Sequence, residues 1–475
     1  MPAQINHFFV LMMENRSLDH MLGFLKAPDY DIEGLDPAAL PYNEDGSENK
    51  IYASDDARAT GDLAADPNHH FDDVTEQLYG TSQPGAGQAP DMSGFVRNYQ
   101  TKSGSAAAGA NIMKCFNARS LPVLSTLAKE YAVCDHWFAS IPGPTLPNRL
   151  YVHCGTSRGR LDMAPEYYSG FYTVYEELDK HDIPSCIFWS DWSGTLTFSG
   201  LMAHQNQFYA DYQDFAAICA GPANQVPAYC FIEPRYNPAD VPAGGVLPAT
   251  DQHPDNDMRD GEMLIQNVYN AIRQNDELWH SSVLLIVYDE HGGLYDHVPP
   301  VPMVSPDGLS SVAPVFDFKM SGVRVPAVVI SPYVAKGAIS KKVYDHTSVI
   351  ATVMQLFTDT WPTDALYTRA QQANTICDLL DLNAAPRDEY PNFPDAVYST
   401  VLPQVHAATA ATAPISDLQR EAVVHAISLN ASLPAKVRVV APSVEELKML
   451  QASQAGAFVK AVGDAAIAAH QGLKA

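Results

Sequence analysis

Two stretches of the chain carry unbroken apolar runs that end in polar groups. Residues 283–288 read Val-Leu-Leu-Ile-Val-Tyr, and residues 7–13 read His-Phe-Phe-Val-Leu-Met-Met. Neither alternates, so each predicts a strand buried on both faces, as in a parallel sheet covered by helices. The first run is followed by Asp289-Glu290-His291-Gly292-Gly293, the second by Glu14-Asn15-Arg16-Ser17. In open α/β sheets, ligands bind beyond the carboxyl ends of the strands. Two carboxylates placed there repel each other and lose hydration, costs that a bound cation relieves.

The rest of the pattern fits the same architecture. Short apolar runs at 133–138, 183–189, 228–232 and 324–330 predict further strands. Residues 18–24 predict a short helix, and 121–131 a longer one. Leu264, Val268, Ala271 and Ile272 share one helical face of 261–273, and another apolar helix runs through Phe357 from the turn Tyr344-Asp345-His346-Thr347-Ser348. Residues 26–115 and 237–257 are rich in turn-forming residues and read as long loops, which in compact domains are often functional. Prolines in Pro142-Gly143-Pro144-Thr145-Leu146-Pro147-Asn148-Arg149 force a turn, and Pro147 suits a first helical turn. Thr145 then sits at a helix N-terminus, where free N–H groups and the dipole favour negative charge. The expected fold is an α/β three-layer sandwich with a central, mostly parallel sheet and the site at its C-terminal edge. The composition turns Ala-rich after about 405, so 1–404 is read as the main domain and 405–475 as a helical C-terminal extension.

Charge and composition narrow the function. The formal net charge is −26, which disfavours nucleic acid or an anionic membrane surface as a diffuse partner. An anionic substrate stays admissible, because one metal ion reverses the sign locally. The seven cysteines show no metal-binding spacing and read as buried thiols, with a disulfide open to an exported chain. No apolar run reaches ~18 residues, so no transmembrane segment is expected. A strand begins within a few residues of Met1, so no signal peptide is expected either. The chain is then cytoplasmic, a leaderless export substrate, or a mature form.

Four turn positions carry the chemistry: Glu14-Asn15, Thr145, Asp289-Glu290, and His253 or His346. Carboxylates with an amide oxygen and a hydroxyl suit a divalent cation. A coordinated Thr oxygen is a better nucleophile, and a nearby His protonates a leaving alkoxide.

The segment Glu14-Asn15-Arg16-Ser17-Leu18-Asp19-His20-Met21-Leu22-Gly23 resembles the opening motif of the bacterial phosphoesterase family, which contains phosphatidylcholine-type phospholipases C and a group of acid phosphatases and is related to the alkaline phosphatase superfamily. Met92-Ser93-Gly94-Phe95-Val96, the Thr145 segment, Phe231-Ile232-Glu233-Pro234, His253-Pro254, Arg259-Asp260-Gly261-Glu262, Asp289-Glu290-His291-Gly292-Gly293, Gly322-Val323-Arg324-Val325-Pro326 and Tyr344-Asp345-His346-Thr347-Ser348 follow in family order. The resemblance implies an alkaline phosphatase-like fold and one divalent metal ion held by Glu14, Asn15, Thr145, Asp289 and Glu290. Glu290 stands where relatives carry Asp. Thr145 matches the nucleophile, and His253 an active-site His at phosphate or leaving group. His204 is a candidate for a second such His, and His69 and His70 match a His before the Met-x-Gly-Phe segment.

Asn148 and His297 are candidate substrate contacts, and Arg149 a candidate phosphate contact. Each also has a structural reading, Asn148 and Arg149 as caps and loop anchors, His297 and His346 as turn posts. Arg324 reads as structural, Asp19 as a first-turn acid, Glu233 as an orienting group. Trp189, Trp192, Tyr209 and Tyr212 are candidates for a choline cage or ordinary core aromatics. The expected activity is hydrolysis of a diester (phospholipase C) or monoester (acid phosphatase) through a phosphothreonine. A headgroup-binding protein on the same fold is the alternative.

Overall fold

The computed structural model describes residues 4–471 except 64, 164–169, 203, 241–244, 359, 362–367, 394–414 and 448. Eight strands form the central sheet: β1 His7–Met13, β2 Ala132–Cys134, β3 Ser185–Trp189, β4 Tyr209–Asp211, β5 Tyr229–Ile232, β6 Ser282–Tyr288, β7 Ala327–Ile330 and β8 Ala338–Ser340. Their order is β8-β2-β7-β6-β1-β5-β3-β4. Only β7 runs antiparallel to its neighbours; the other pairings are parallel. β1 and β6 lie side by side at the centre, and every residue of both is buried, as their unbroken apolar sequences require.

Helices cover both faces. Pro122–Glu130 (α4) packs with Met258–Arg273 (α6), and Thr145–Cys154 (α5) with Thr347–Phe357 (α7). The alternation of side chains along β1 separates these layers: the Phe8 ring meets Tyr229, while Phe9 meets Phe215 edge-on. The fold is thus α/β with a large, mostly parallel sheet, as the pattern predicts.

Several boundaries differ from the sequence expectation. The strand expected at 133–138 stops at Cys134, because the Asp135 carboxylate binds the Glu33 N–H (2.8 Å) and Lys341 Nζ (2.7 Å). Trp137 and Phe138 keep only isolated bridges, to Tyr344 and Arg324. The region 26–115 is more regular than expected. Leu18–Leu22 (α1) leads into it, and it holds helices Phe71–Tyr79 (α2) and Phe95–Ser103 (α3). They pack closely at Gly94, where a Cβ would lie 1.9 Å from the Glu76 carbonyl oxygen. Both are short, polar on one face and capped by glycines in the left-handed conformation, so their signal is weak in sequence.

The tail folds into Asp417–Ser432 (α8) and Ala452–Gln471 (α9), which pack together. Both also pack on the main body, with Val423, Ala426, Phe458 and Val462 meeting Trp189, Trp192, Leu196 and Tyr236. The boundary expected at 404/405 falls outside the described residues. No described helix is long and apolar enough to cross a membrane. All seven cysteines are free thiols, six of them buried.

Candidate active site

The site grows from the ends of three adjacent parallel strands. β1 and β6 pair in register from His7 with Ser282 to Met13 with Tyr288, so Glu14 and Asp289 emerge side by side. β5, on the other side of β1, ends at Ile232 and delivers Glu233. Asp289 Oδ1 accepts from the N–H groups of Asn15 (2.9 Å) and Glu290 (2.7 Å), which ties the two central strand ends together. Asn15 adopts φ 54°, a left-handed conformation that asparagine tolerates better than most residues. Gly292, at φ 63°, lies where a Cβ would be 2.2 Å from the Asn15 carbonyl oxygen, so only glycine closes this turn without displacement.

The nucleophile candidate comes from a helix rather than a strand end. Thr145 opens α5, and its hydroxyl lies 3.1 Å from Asn15 Oδ1 and 3.3 Å from Glu14 Oε2. One turn later Arg149 reaches three acids: Nη2 to Glu14 Oε1 (2.5 Å), Nη1 to Glu233 Oε2 (2.8 Å) and Nε to Asp289 Oδ2 (3.1 Å). The sequence leaves Arg149 open between a cap or loop anchor and a phosphate contact; the fold makes it the cation that binds three strand ends. Tyr236 and Ser193 hydrogen-bond the Glu233 carboxylate, which fixes the far end of the network.

Charge at this centre is unbalanced. Glu14, Asp289 and Glu290 are fully buried and Glu233 nearly so, with Arg149 the cation that contacts Glu14, Glu233 and Asp289. Burial, and then the charge of Asp289, push the Glu14 carboxyl well above its usual range despite Arg149. Burial likewise moves Glu290 up to about 8. Glu290 Oε2 accepts from the Gly292 N–H at 2.7 Å, whereas its buried Oε1 has no hydrogen-bond partner among the described residues. Carboxylates, an amide oxygen and a hydroxyl are the donor types of a hard divalent cation. Glu14 Oε2, Asn15 Oδ1 and the Thr145 hydroxyl converge, and Glu290 Oε1 is orphaned, so the chemistry of Glu14, Asn15, Thr145, Asp289 and Glu290 suits such an ion, while Arg149 already occupies one oxygen each of Glu14 and Asp289. Among the described residues, the acid and His triads whose ligand-type atoms lie within 4.8 Å of one another are Asp19–Asp296–His297 and Asp66–His253–Asp255, not the acids at Glu14, Asp289 and Glu290. In the first, the Arg324 guanidinium already reaches both acids.

The remaining predicted residues divide. His253 is buried, 3.6 Å from both Asp66 and Asp255, and its ring meets His69 edge-on, with His70 stacked beyond. The loop that carries His69 and His70 closes on the acid turn, where a Cβ at Gly293 would lie 2.5 Å from the Asn68 carbonyl oxygen, so this histidine group flanks the acid side of the site. His204 is exposed on a turn, unlike the buried groups around Thr145. Asn148 is not free for substrate: its amide binds Ile141 N–H and the carbonyls of Ile141, Gly143 and Pro144, so it staples the loop that presents Thr145. His297 is likewise a turn post, its Nδ1 2.6 Å from Asp19. His346 supports the Asp289 carbonyl (2.5 Å) and accepts from the Trp137 indole (3.3 Å). Trp189 and Trp192 are buried against α8 and α9, while Tyr212 stacks on Phe215, so these aromatics form no single cage. The Met92–Val96 motif is structural: Phe95 packs edge-on against His291 and Tyr295 behind the acid turn.

Residues 5–358 match the Phosphoesterase family. The chain is 34% identical over 448 residues to non-specific phospholipase C6 of Arabidopsis thaliana, covering 90% of this chain and 81% of that one. It is 24% identical over 436 residues to the non-hemolytic phospholipase C of Burkholderia pseudomallei, covering 82% and 61%. Similarity thus extends to plant proteins, beyond the bacterial ones that the motifs resemble. Among solved structures, a Vibrio parahaemolyticus protein of the alkaline phosphatase superfamily aligns over 78% of this chain and 72% of its own, with 9% identity and a TM-score of 0.37.

Proposed function

Because this chain belongs to the phosphoesterase family, we propose that it is a phospholipase C-type phosphodiesterase whose nucleophile is Thr145. The observation that carries the reading is the Thr145 hydroxyl, buried at a helix N-terminus and within 3.3 Å of both Glu14 and Asn15. The diester choice rests on the relatives, which are named phospholipases C from both plant and bacterium. A non-catalytic headgroup binder has no physical need for this hydroxyl and this family membership.

In the first half-reaction the Thr145 oxygen bonds to phosphorus as the bond from phosphorus to the alcohol oxygen breaks. The hydroxyl proton passes to Glu14, whose Oε2 is in reach, and the departing alkoxide takes a proton from the His253 side of the site. Water then adds to phosphorus and gives up a proton to the His253 side, which restores what the alkoxide took, as the Thr145 oxygen leaves and regains its proton from Glu14. Arg149 holds Glu14 and Asp289 in register throughout. When bound by Glu14, Asn15, Thr145, Asp289 and Glu290, a divalent ion supplies positive charge that favours the Thr145 alkoxide and offsets the charge on the phosphoryl oxygens.

Thr145→Ala is expected to lower turnover of p-nitrophenyl phosphorylcholine at least ~10³-fold while leaving the circular dichroism spectrum and Tm unchanged. Wild-type turnover in that variant would remove the nucleophile assignment. Exhaustive chelation should silence the enzyme, and activity unchanged after it would exclude the metal. Running p-nitrophenyl phosphate in parallel separates diesterase from monoesterase.

A further inference from the structure

The helix that presents Thr145 has few amides to offer an anion. Pro147 has no N–H, and the Asn148 N–H points back to the Pro144 carbonyl at 3.5 Å. Of the first helical positions this leaves the N–H groups of Thr145 and Leu146. The Leu146 N–H donates to the Met163 thioether, with N···Sδ 3.2 Å. A thioether is a weak acceptor. It stands where the helix dipole and the neighbouring nucleophile favour an anionic oxygen.

Met163 is built into its place from behind. It is 3% exposed and shares an apolar cluster with Leu146, Trp192 and, on α8, Ala422, Val423 and Ala426. The ring of His425, also on α8, meets Trp192 edge-on. The C-terminal helix thus packs on Met163, whose side chain keeps three rotatable bonds.

Building on Thr145 as the phosphoryl acceptor, we propose that Met163 is a specificity-determining plug: its sulfur holds the Leu146 amide until a phosphoryl oxygen displaces it. Removing the thioether from an apolar cluster opens contact surface there. An ester that carries an apolar group fills that surface and offsets the displacement; a bare anion does not. The device therefore selects amphiphilic phosphate esters over small soluble phosphates, and it makes α8 part of the substrate machinery.

The test is binding of inorganic phosphate to the full-length, metal-loaded protein by calorimetry, which needs no turnover. Met163→Ala frees the Leu146 amide and is expected to tighten phosphate binding roughly 5- to 10-fold, the worth of about one hydrogen bond. Met163→Gln offers that amide a stronger acceptor and is expected to weaken binding. It keeps the side-chain bulk, so it reports even if the alanine variant is too unstable to study. With p-nitrophenyl phosphorylcholine and a long-chain phosphatidylcholine as paired substrates, Met163→Ala should favour the small one relative to wild type. Equal phosphate affinity in wild type, Met163→Ala and Met163→Gln, or tighter binding by Met163→Gln, overturns the plug. Failure of the nucleophile reading shows separately, as turnover surviving in Thr145→Ala.

Discussion

At the residue scale the molecule is organised around one buried cation. Arg149 touches the carboxylates that end β1, β5 and β6, and a guanidinium suits this role because its fork reaches three partners from a fixed plane. The acids were legible in the sequence, since each follows an apolar run. Arg149 was not, since nothing local distinguishes it from a helix cap; its partners lie 84 to 140 positions away. Removing one member of a buried ion network leaves the others uncompensated. Arg149→Met should therefore cost about 3–5 kcal/mol of stability. The urea midpoint measures it, and a midpoint unchanged from wild type would show that the acids are balanced by something else.

At the element scale the acid turn after β6 is clamped to its neighbours by a second network. Asp296 and Asp19 share the Arg324 guanidinium, and His297 donates its N–H and presents its ring to Asp19 of α1. Burial pulls the His297 imidazolium down, but the Asp19 hydrogen bond and the charges of Asp19 and Asp296 outweigh both burial and Arg324, so its pKa lies above the ordinary value. A raised folded pKa stabilises below the unfolded value of about 6.5, and that stabilisation is lost as pH rises through the folded value. Wild type should thus exceed His297→Asn in unfolding free energy by more at pH 6 than at pH 9. A difference that does not vary with pH would mean that the imidazole is neutral in the fold. The sequence placed most long elements within a few residues, because apolar periodicity is local. It missed α2 and α3, whose few apolar residues bury against each other, the acid turn and distant residues such as Leu35, Ile112, Met113 and Val323.

At the scale of the whole molecule the C-terminal helices are a covering layer. α8 and α9 lie over Leu146, Trp189, Trp192, Leu196 and Tyr236, and Gln419 of α8 donates to the Tyr236 carbonyl at 3.2 Å. Gly463 of α9 sits where a Cβ would be 2.9 Å from Trp189. A chain ending before residue 415 would expose this apolar surface beside the nucleophile helix. Such a truncation should lose activity and aggregate on purification. A monomeric, fully active truncation would show the helices to be dispensable. The sequence by itself determined the buried parallel strands, the acids at their ends and the proline-ringed Thr145 turn, because unbroken apolar runs and turn chemistry act over a few residues. Tertiary structure alone decided which side chains meet. It made Arg149 a hub, turned Asn148 inward to its own loop, left His204 on the surface and set Met163 against the Leu146 amide. Those outcomes depend on strand order and helix packing, which bring together residues far apart in the chain and leave no trace in local pattern.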